Sequence, residues 1–251
     1  QRWDRSVPVS NAANAIVRSA ELPIMKCPGD PHNSEHYVRG LGVGLQGNEY
    51  ARGNYAINVG PDNNCVKGTA TPDGPCILGF IAAGGDLRTQ NSQAWGSGVA
   101  GVNRSFRFGD ITDGLSKTVA LDEIRSGIDP LDPRGVWALG QVASSLIARH
   151  GKYADAGGPN PLNPGSEEFI GCTALAQKVG EGGLAAERMP CNIEGTAREA
   201  NTQGAARSMH SGGLNVLFAD GSVHFVVDAV DADVWHAMHT RAGAETVDIS
   251  F

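Results

Sequence analysis

The sequence predicts an α+β protein with a mainly antiparallel sheet of hairpins, short flanking helices, long loops and insertions. Three observations support this fold class. Short apolar segments alternate with a period of two, tight-turn residues join neighbouring segments, and glycine accounts for 34 of 251 residues, about twice its usual share of ~7%. Because strands joined by tight turns pair antiparallel, hairpins are the expected unit of the sheet.

Composition bounds the domain organisation and excludes some functions. One domain is predicted over residues 1–251, with residues 140–207 as an Ala/Gly/Pro-rich insertion that carries short helices. The 20 basic and 27 acidic residues give a net charge of −7, which argues against binding nucleic acid or an anionic membrane through a basic face. No apolar run approaches the ~18 residues needed to cross a bilayer.

The first half of the chain alternates short predicted elements with loops. A helix is predicted over residues 12–22, capped by Ser10 or Asn11 and ended by Pro23. Five strands are predicted in the first 140 residues, over 54–59, 77–83, 104–110, 117–124 and 134–139. A further strand is predicted near the end of the chain, over residues 244–249. The strand over 117–124 follows the turn residues Asp113 and Gly114, and residues 134–139 are predicted to be its hairpin partner.

The C-terminal stretch is the most informative part of the sequence. Residues 214–218 and 223–227 are apolar, and Asp220 and Gly221 lie in the short connection between them. An Asp-Gly pair supplies the left-handed geometry of a tight turn, so a β-hairpin is predicted here.

A helix is predicted to follow this hairpin over residues 232–240. Asp231 is its expected N-cap, and Val234, Trp235 and Met238 share one face at a spacing of three to four residues. That face is expected to pack on the sheet. His236 and His239 are interpreted as histidines of a surface helix.

The five cysteines are Cys27, Cys65, Cys76, Cys172 and Cys191. None has zinc-finger spacing, and two local disulfides are predicted, Cys65–Cys76 and Cys172–Cys191. Each would pin a polar, Gly-rich loop, which favours an oxidising, exported location. The alternative is five buried thiols in a cytosolic protein. Cys27 is left unpaired, or paired with a cysteine ahead of Gln1.

Two groups of residues are candidates for chemistry. His210 and Asp220 could act together on a metal or a proton, but the favoured interpretation is structural, with Asp220 in the hairpin turn and His210 binding a loop carbonyl or carboxylate. The acids near these turns are candidate Ca²⁺ ligands: Asp110, Asp113, Asp122 and Asp220. Their spacing is not that of an EF-hand loop, and turn formation is the favoured role. No motif of a nucleophilic enzyme or phosphate-binding loop occurs, so no enzyme activity and no firm cofactor are predicted.

Several segments together resemble a known family. Residues 210–223 (HSGGLNVLFADGSV) have the His, nine residues, Asp-Gly pattern of the prepilin-type, processing-associated proteins that are abundant in planctomycetes and whose function is unknown. Other similar segments, in the family's order, are residues 25–30 (MKCPGD), 54–56 (NYA), 110–118 with Glu123, 134–138 and 234–238. The motif residues given structural roles on this basis are His210, Asp220, Gly221, Asp113, Gly114 and Glu123.

The resemblance implies a pilin-like or pseudopilin-like head, exported and assembled with itself or related subunits at the cell surface or in a secretion apparatus. It also implies a long apolar helix ahead of Gln1, through which alone the protein would contact a membrane. The chain starts without Met or a leader, and it is interpreted as a mature or truncated form.

Two other functions compete with the structural role. An extracellular binding module would present the loops 31–53 and 84–101, with an exposed aromatic cluster such as Tyr50, Trp95 or Tyr153 beside them. A metal-dependent hydrolase, which is less favoured, would need His210, Asp220 and further acids to converge in an open cleft.

Overall fold

The computed structural model describes residues 3–39, 48–61, 65–66, 94–148, 158–169, 171–193 and 203–245. Within these ranges the protein has the predicted α+β class, with mostly antiparallel sheets and short helices. The helices are α1 (Ala15–Arg18), α2 (Cys172–Val179), α3 (Glu181–Ala186) and α4 (Ala232–Met238). The strands are β1 (Tyr37–Arg39), β2 (Asn48–Tyr50), β3 (Tyr55–Gly60), β4 (Cys65–Val66), β5 (Ala94–Trp95), β6 (Ala100–Val102), β7 (Arg104–Ser105), β8 (Val119–Glu123), β9 (Leu146–Ala148), β10 (Gly213–Phe218) and β11 (Val223–Val227).

The main sheet has five strands in the order β11-β10-β8-β3-β9. All neighbours are antiparallel except β3 and β9, which are parallel. The β10–β11 hairpin is confirmed, and Gly221 in its turn has φ of 91°, a left-handed conformation that favours glycine. A smaller sheet joins β4 to β7 in chain order, and β1 pairs with β2.

One face of the main sheet packs against α4. Asp231 caps this helix as predicted, because its side chain accepts hydrogen bonds from the backbone N–H groups of Asp233 and Val234. Trp235 and Met238 are buried against the sheet. The sheet residues of this core alternate along their strands and include Ala56, Val119, Leu214, Val216, Phe218 and Val226. The apolar residues that recur at every second position of the sequence therefore lie on the buried face of the sheet.

The opposite face of the same sheet is apolar, and it is open to solvent along β11, whereas at β3 Ile57 packs against a buried cluster. Leu217 lies opposite Val223 on one side and Leu121 on the other, and Leu121 lies opposite Ile57. These four side chains form an apolar row across four strands, because directly paired residues project from the same face. Val223, Phe225 and Val227 on β11 are 63%, 45% and 53% exposed. We call this surface the open face.

Several predicted elements differ from the structure. Residues 134–139 do not form the hairpin partner of β8: within this segment only Val136 makes a bridge, to Arg52, and β8 pairs with β3 and β10 instead. The predicted strand over 104–110 is β7 followed by a 3-10 turn, and the predicted N-terminal helix is a 3-10 turn and the four-residue α1. Residues 77–83 and all but the first two of residues 244–249 lie outside the described residues.

The segment 140–207, predicted to be an insertion, contributes to the main fold. Its strand β9 lies at the edge of the main sheet beside β3. Its helices α2 and α3 enclose a separate apolar cluster that contains Phe169, Leu175 and Leu184. The disulfide Cys172–Cys191 is confirmed and lies within this cluster. The predicted Cys65–Cys76 pair lies outside the described side chains.

Removal of this disulfide is expected to destabilise the protein. The bridge joins cysteines 19 positions apart, and closing a loop of that length restricts the unfolded chain by about 3 kcal/mol. The variant Cys172→Ala/Cys191→Ala should therefore melt about 6 to 12 °C below the wild type. Thermal unfolding followed by circular dichroism measures the shift, and an unchanged midpoint would show that the bridge contributes nothing.

Candidate functional site

Three side chains of metal-ligand type converge at one corner of the main sheet. The Cys27 sulfur lies 3.7 Å from His210 Nε2, and the same nitrogen lies 3.3 Å from Glu123 Oε1. The three atoms lie within 4.8 Å of one another, and no other group of three such side chains occurs in the described part of the chain. We call Cys27, Glu123 and His210 the Cys–Glu–His cluster.

Cys27 is held in place through its backbone. It follows a 3-10 turn over Pro23–Met25, and its N–H donates to Asn54 Oδ1 at 2.9 Å. Its carbonyl accepts a hydrogen bond from Asn33 Nδ2 at 2.7 Å. The thiol is buried and free of any disulfide within the described residues. Because both backbone groups are bonded to buried side chains, the sulfur has a fixed position.

Glu123 is the last residue of β8, and its side chain is 3% exposed. Its Oε2 accepts a hydrogen bond from the backbone N–H of Asn215 at 2.7 Å, and Oε1 lies 3.3 Å from Asn215 Nδ2. These bonds fix the carboxylate from the β10 side. Oε1 also points towards the imidazole of His210.

His210 lies in the loop before β10, where two hydrogen bonds restrain the chain. The N–H of Arg207 donates to the carbonyl of Glu123 at 2.9 Å, and the N–H of His210 donates to Ser208 Oγ at 3.0 Å. The histidine side chain is 42% exposed. Solvent therefore reaches the cluster along the exposed edge of the His210 imidazole.

The Glu123 carboxylate places negative charge beside Tyr55. Tyr55, opposite Glu123 in the β3–β8 register, has a raised pKa, first because the phenol is partly buried and then because the Glu123 carboxylate and the Cys27 thiol lie nearby. Burial disfavours a charge of either sign here, whereas the Glu123 carboxylate disfavours a phenolate and attracts a cation.

A family comparison covers most of the chain. Residues 1–233 match the family described as "Protein of unknown function (DUF1559)". The chain belongs to this DUF1559 family. No curated protein and no solved structure matches it.

In this DUF1559 chain, the two residues of the His, nine residues, Asp-Gly pattern lie at opposite ends of β10. His210 precedes the strand, whereas Asp220 lies in the hairpin turn that follows it. Asp220 Oδ1 accepts hydrogen bonds from the hydroxyl and the backbone N–H of Ser222, and these two bonds lower the pKa of Asp220. The hydrolase interpretation, which needs His210 and Asp220 together, has no such pair.

The four candidate Ca²⁺ ligands are likewise not brought together. Asp110 Oδ2 accepts from the backbone N–H of Arg107, and Asp220 is occupied in its turn. The Asp113 carboxylate accepts from the N–H groups of Gly243 and Ala244, while Gly114 beside it has φ of 107°. The fourth, Asp122, is buried on the α4 face of the sheet.

Asp122 pairs with a histidine that was predicted to be at the surface. His239 is completely buried, and its Nε2 lies 2.9 Å from Asp122 Oδ1. Its Nδ1 lies 2.7 Å from the carbonyl oxygen of Trp235. The prediction was wrong because His239 lies four residues after Trp235 and therefore on the same buried side of the helix, where the two rings are 4.2 Å apart.

The Cys–Glu–His cluster itself was not predicted as a group. Each member lies in a segment that resembles the family, namely residues 25–30, Glu123 and residues 210–223. The presence of all three residues in family-like segments was the sequence feature from which the cluster could have been predicted. Local spacing gave none, because Cys27 and His210 are 183 positions apart.

Proposed function

We propose that this DUF1559 chain is the head of a pilin-like or pseudopilin-like subunit, a non-enzymatic structural protein that is exported and assembles with itself or with related subunits. The open face of the main sheet is the observation that carries this proposal. The sequence resembles the prepilin-type proteins of planctomycetes, and this resemblance indicates the kind of assembly that we propose, a surface filament or a secretion apparatus.

The open face has the chemistry of an interface. Its row of Leu121, Leu217 and Val223 continues into Phe225 and Val227, and the three β11 side chains are about half exposed or more. Burying a Val, Leu or Phe side chain contributes about 1.5 to 3 kcal/mol. A contiguous apolar surface of this kind marks a site of interaction.

The proposed occupant of the open face is the long apolar helix that the resemblance implies ahead of the head. The ring of Trp3 lies 6.4 Å from that of Trp137, and the adjacent Val136 bridges Arg52, three residues before β3. A helix preceding Trp3 would therefore reach the sheet from the end at which β3 begins. None of the helices in the described ranges has both the length and the apolar character that crossing a bilayer requires.

Export is part of this proposal, and the disulfide supports it. Cys172–Cys191 is buried within its apolar cluster, and structural disulfides persist in oxidising compartments. The net charge of −7 gives no support to a nucleic-acid partner.

The binding-module alternative predicted exposed aromatic side chains beside its loops. Tyr50 and Trp95, two of its three expected exposed aromatics, are 0% and 5% exposed. The third, Tyr153, lies outside the described residues. The loop surface thus offers no aromatic platform among the residues described, and the pilin-like head remains the better supported function.

Charged substitutions on the open face are expected to abolish assembly without unfolding the head. In the natural host, Phe225→Lys/Val227→Lys should reduce the protein recovered in sheared filaments or cross-linked oligomers by at least about tenfold, because burying two lysines in an apolar interface forfeits several kcal/mol. Immunoblotting of the sheared and cell fractions measures this loss.

The matched control is Phe108→Lys, which removes another exposed aromatic residue (71% exposed) from a 3-10 turn outside the main sheet. It should assemble as the wild type does, and both variants should melt within a few degrees of the wild type. Recovery of the wild type only as a released monomer, or equal assembly by Phe225→Lys/Val227→Lys, would refute the proposal.

A further inference from the structure

We propose that Cys27, Glu123 and His210 form a zinc site, in which a thiolate, a carboxylate and an imidazole bind one Zn²⁺ and leave a fourth position for water or an exogenous ligand. The inference concerns the isolated head and does not depend on the assembly proposed above.

The two separations that involve His210 match those of ligands on a shared tetrahedral ion, and all three atoms lie within 4.8 Å of one another. Zn–S, Zn–N and Zn–O bonds of about 2.3, 2.1 and 2.0 Å at tetrahedral angles place sulfur and nitrogen about 3.6 Å apart and nitrogen and oxygen about 3.3 Å apart. The observed separations are 3.7 Å for Cys27 Sγ to His210 Nε2 and 3.3 Å for His210 Nε2 to Glu123 Oε1. Little rearrangement is needed to place an ion among them.

The orientation of the imidazole favours a metal over a catalytic triad. In a Cys–His–carboxylate triad, one ring nitrogen faces the nucleophile and the other is oriented by the carboxylate. Here a single nitrogen, Nε2, faces both Cys27 and Glu123. One nitrogen cannot donate a proton to the carboxylate and accept one from the thiol at the same time. Its lone pair can be directed at an ion between the two.

Electrostatics also favours a cation at this point. The Glu123 carboxylate is almost fully buried, and a buried carboxylate is stabilised by a cation beside it. The small cavity of about 10 Å³ that borders Cys27 and Glu123 is not lined by His210. The ion would therefore lie between the three ligand atoms and beside this cavity.

Hydrogen bonds already hold the backbone of Cys27 and the carboxylate of Glu123. Asn54 and Asn33 hold the backbone of Cys27, and Asn215 holds the carboxylate of Glu123. Such outer contacts fix ligand orientation and raise metal affinity. Because the three ligands come from distant parts of the chain, the ion would tie the N-terminal region and the loop before β10 to the main sheet.

The fourth position is reached from solvent at the exposed edge of His210, whose side chain is 42% exposed. The neighbouring cleft of about 150 Å³ is lined by Arg125 and Arg207 and by none of the three ligands.

The test is zinc binding by the purified chain 1–251. Isothermal titration with Zn²⁺ should give one strong site, and Co²⁺ substitution should give a thiolate charge-transfer band. Cys27→Ser should remove that band and raise the Kd for Zn²⁺ by at least about 100-fold, with a comparable loss in His210→Gln. The melting temperature should rise by about 5 to 10 °C when free Zn²⁺ is 100 times Kd, and this rise should disappear in Cys27→Ser.

The control is His36→Gln. His36 Nε2 lies 2.8 Å from Glu21 and its Nδ1 lies 3.5 Å from Glu49, so it faces two carboxylates but no thiol, and its loss should leave Zn²⁺ affinity unchanged. Because His210 is 42% exposed, His210→Gln should keep the metal-free fold, which circular dichroism checks. Unchanged affinity in Cys27→Ser, a cobalt spectrum without thiolate ligation, or a disulfide at Cys27 in the natural protein would overturn the proposal.

Discussion

Replacing Arg134 with methionine is expected to destabilise the protein by about 3 to 5 kcal/mol, the cost of leaving buried carboxylates without their counter-charge. The Arg134 side chain is 1% exposed and lies between two buried acids. Its Nη2 donates to Asp132 Oδ2 at 2.7 Å, and its Nη1 donates to Glu167 Oε2 at 2.8 Å. Methionine fills similar volume but removes the ion-pair partner of Asp132 and leaves Glu167 with Arg207 alone, at 3.3 Å.

Urea denaturation measures this loss, and Lys178→Met is the matched control. Lys178 also pairs with an aspartate, Asp129, at 2.8 Å, but its side chain is 45% exposed. Exposed pairs contribute about 0 to 1 kcal/mol, so the control should lose no more than that. Equal losses in Arg134→Met and Lys178→Met would show that the buried network does not stabilise the fold.

The same substitution is expected to change stability in acid. Burial alone would raise the pKa of Asp132, but the charge of Arg134 and its hydrogen bonds outweigh burial and hold that pKa below its ordinary value. The pair therefore stabilises the protein above about pH 3.9, and this contribution is lost as the pH falls through the lower folded value. Arg134→Met removes the charge and side-chain hydrogen bonds that oppose burial most strongly, while the charge of Arg52 and the backbone hydrogen bond at position 134 remain. The pKa of Asp132 should therefore rise, and the loss should begin at higher pH.

The second large effect is expected at the buried histidine, where His239→Leu should destabilise the protein by about 3 to 5 kcal/mol. His239 and Asp122 are both 0% exposed and 2.9 Å apart. Leucine leaves the Asp122 carboxylate without its partner in the core beside Trp235. The free energy of unfolding from urea titration measures the change.

Two variants separate the charge from the packing at this site. His36→Leu removes a histidine from a half-exposed pair with Glu21 and should cost at most about 1 kcal/mol. Asp122→Leu/His239→Leu removes both partners, and it should recover much of the loss because no unpaired charge remains. If the double variant is as unstable as the sum of the single variants, the pair has no specific coupling.

The sequence by itself determined the elements whose causes are local. The β10–β11 hairpin follows from two apolar segments and a turn in which Gly221 takes a positive φ. The cap of α4 follows from the Asp231 side chain, which reaches backbone N–H groups two and three residues ahead. The Cys172–Cys191 bridge closes a local loop. Each rests on contacts between residues close in the chain, so pattern and residue type were sufficient.

Only the tertiary structure decided which distant segments meet. The partner of β8 was predicted within residues 134–139, but β3 and β10 pair with it, because strand choice depends on which apolar faces share one core. The same long-range packing buries His239 on one face of the sheet and joins Cys27 to His210 on the other. A period of two places Glu123 on the open face, but no local rule predicts that a thiol and an imidazole 183 positions apart converge on it.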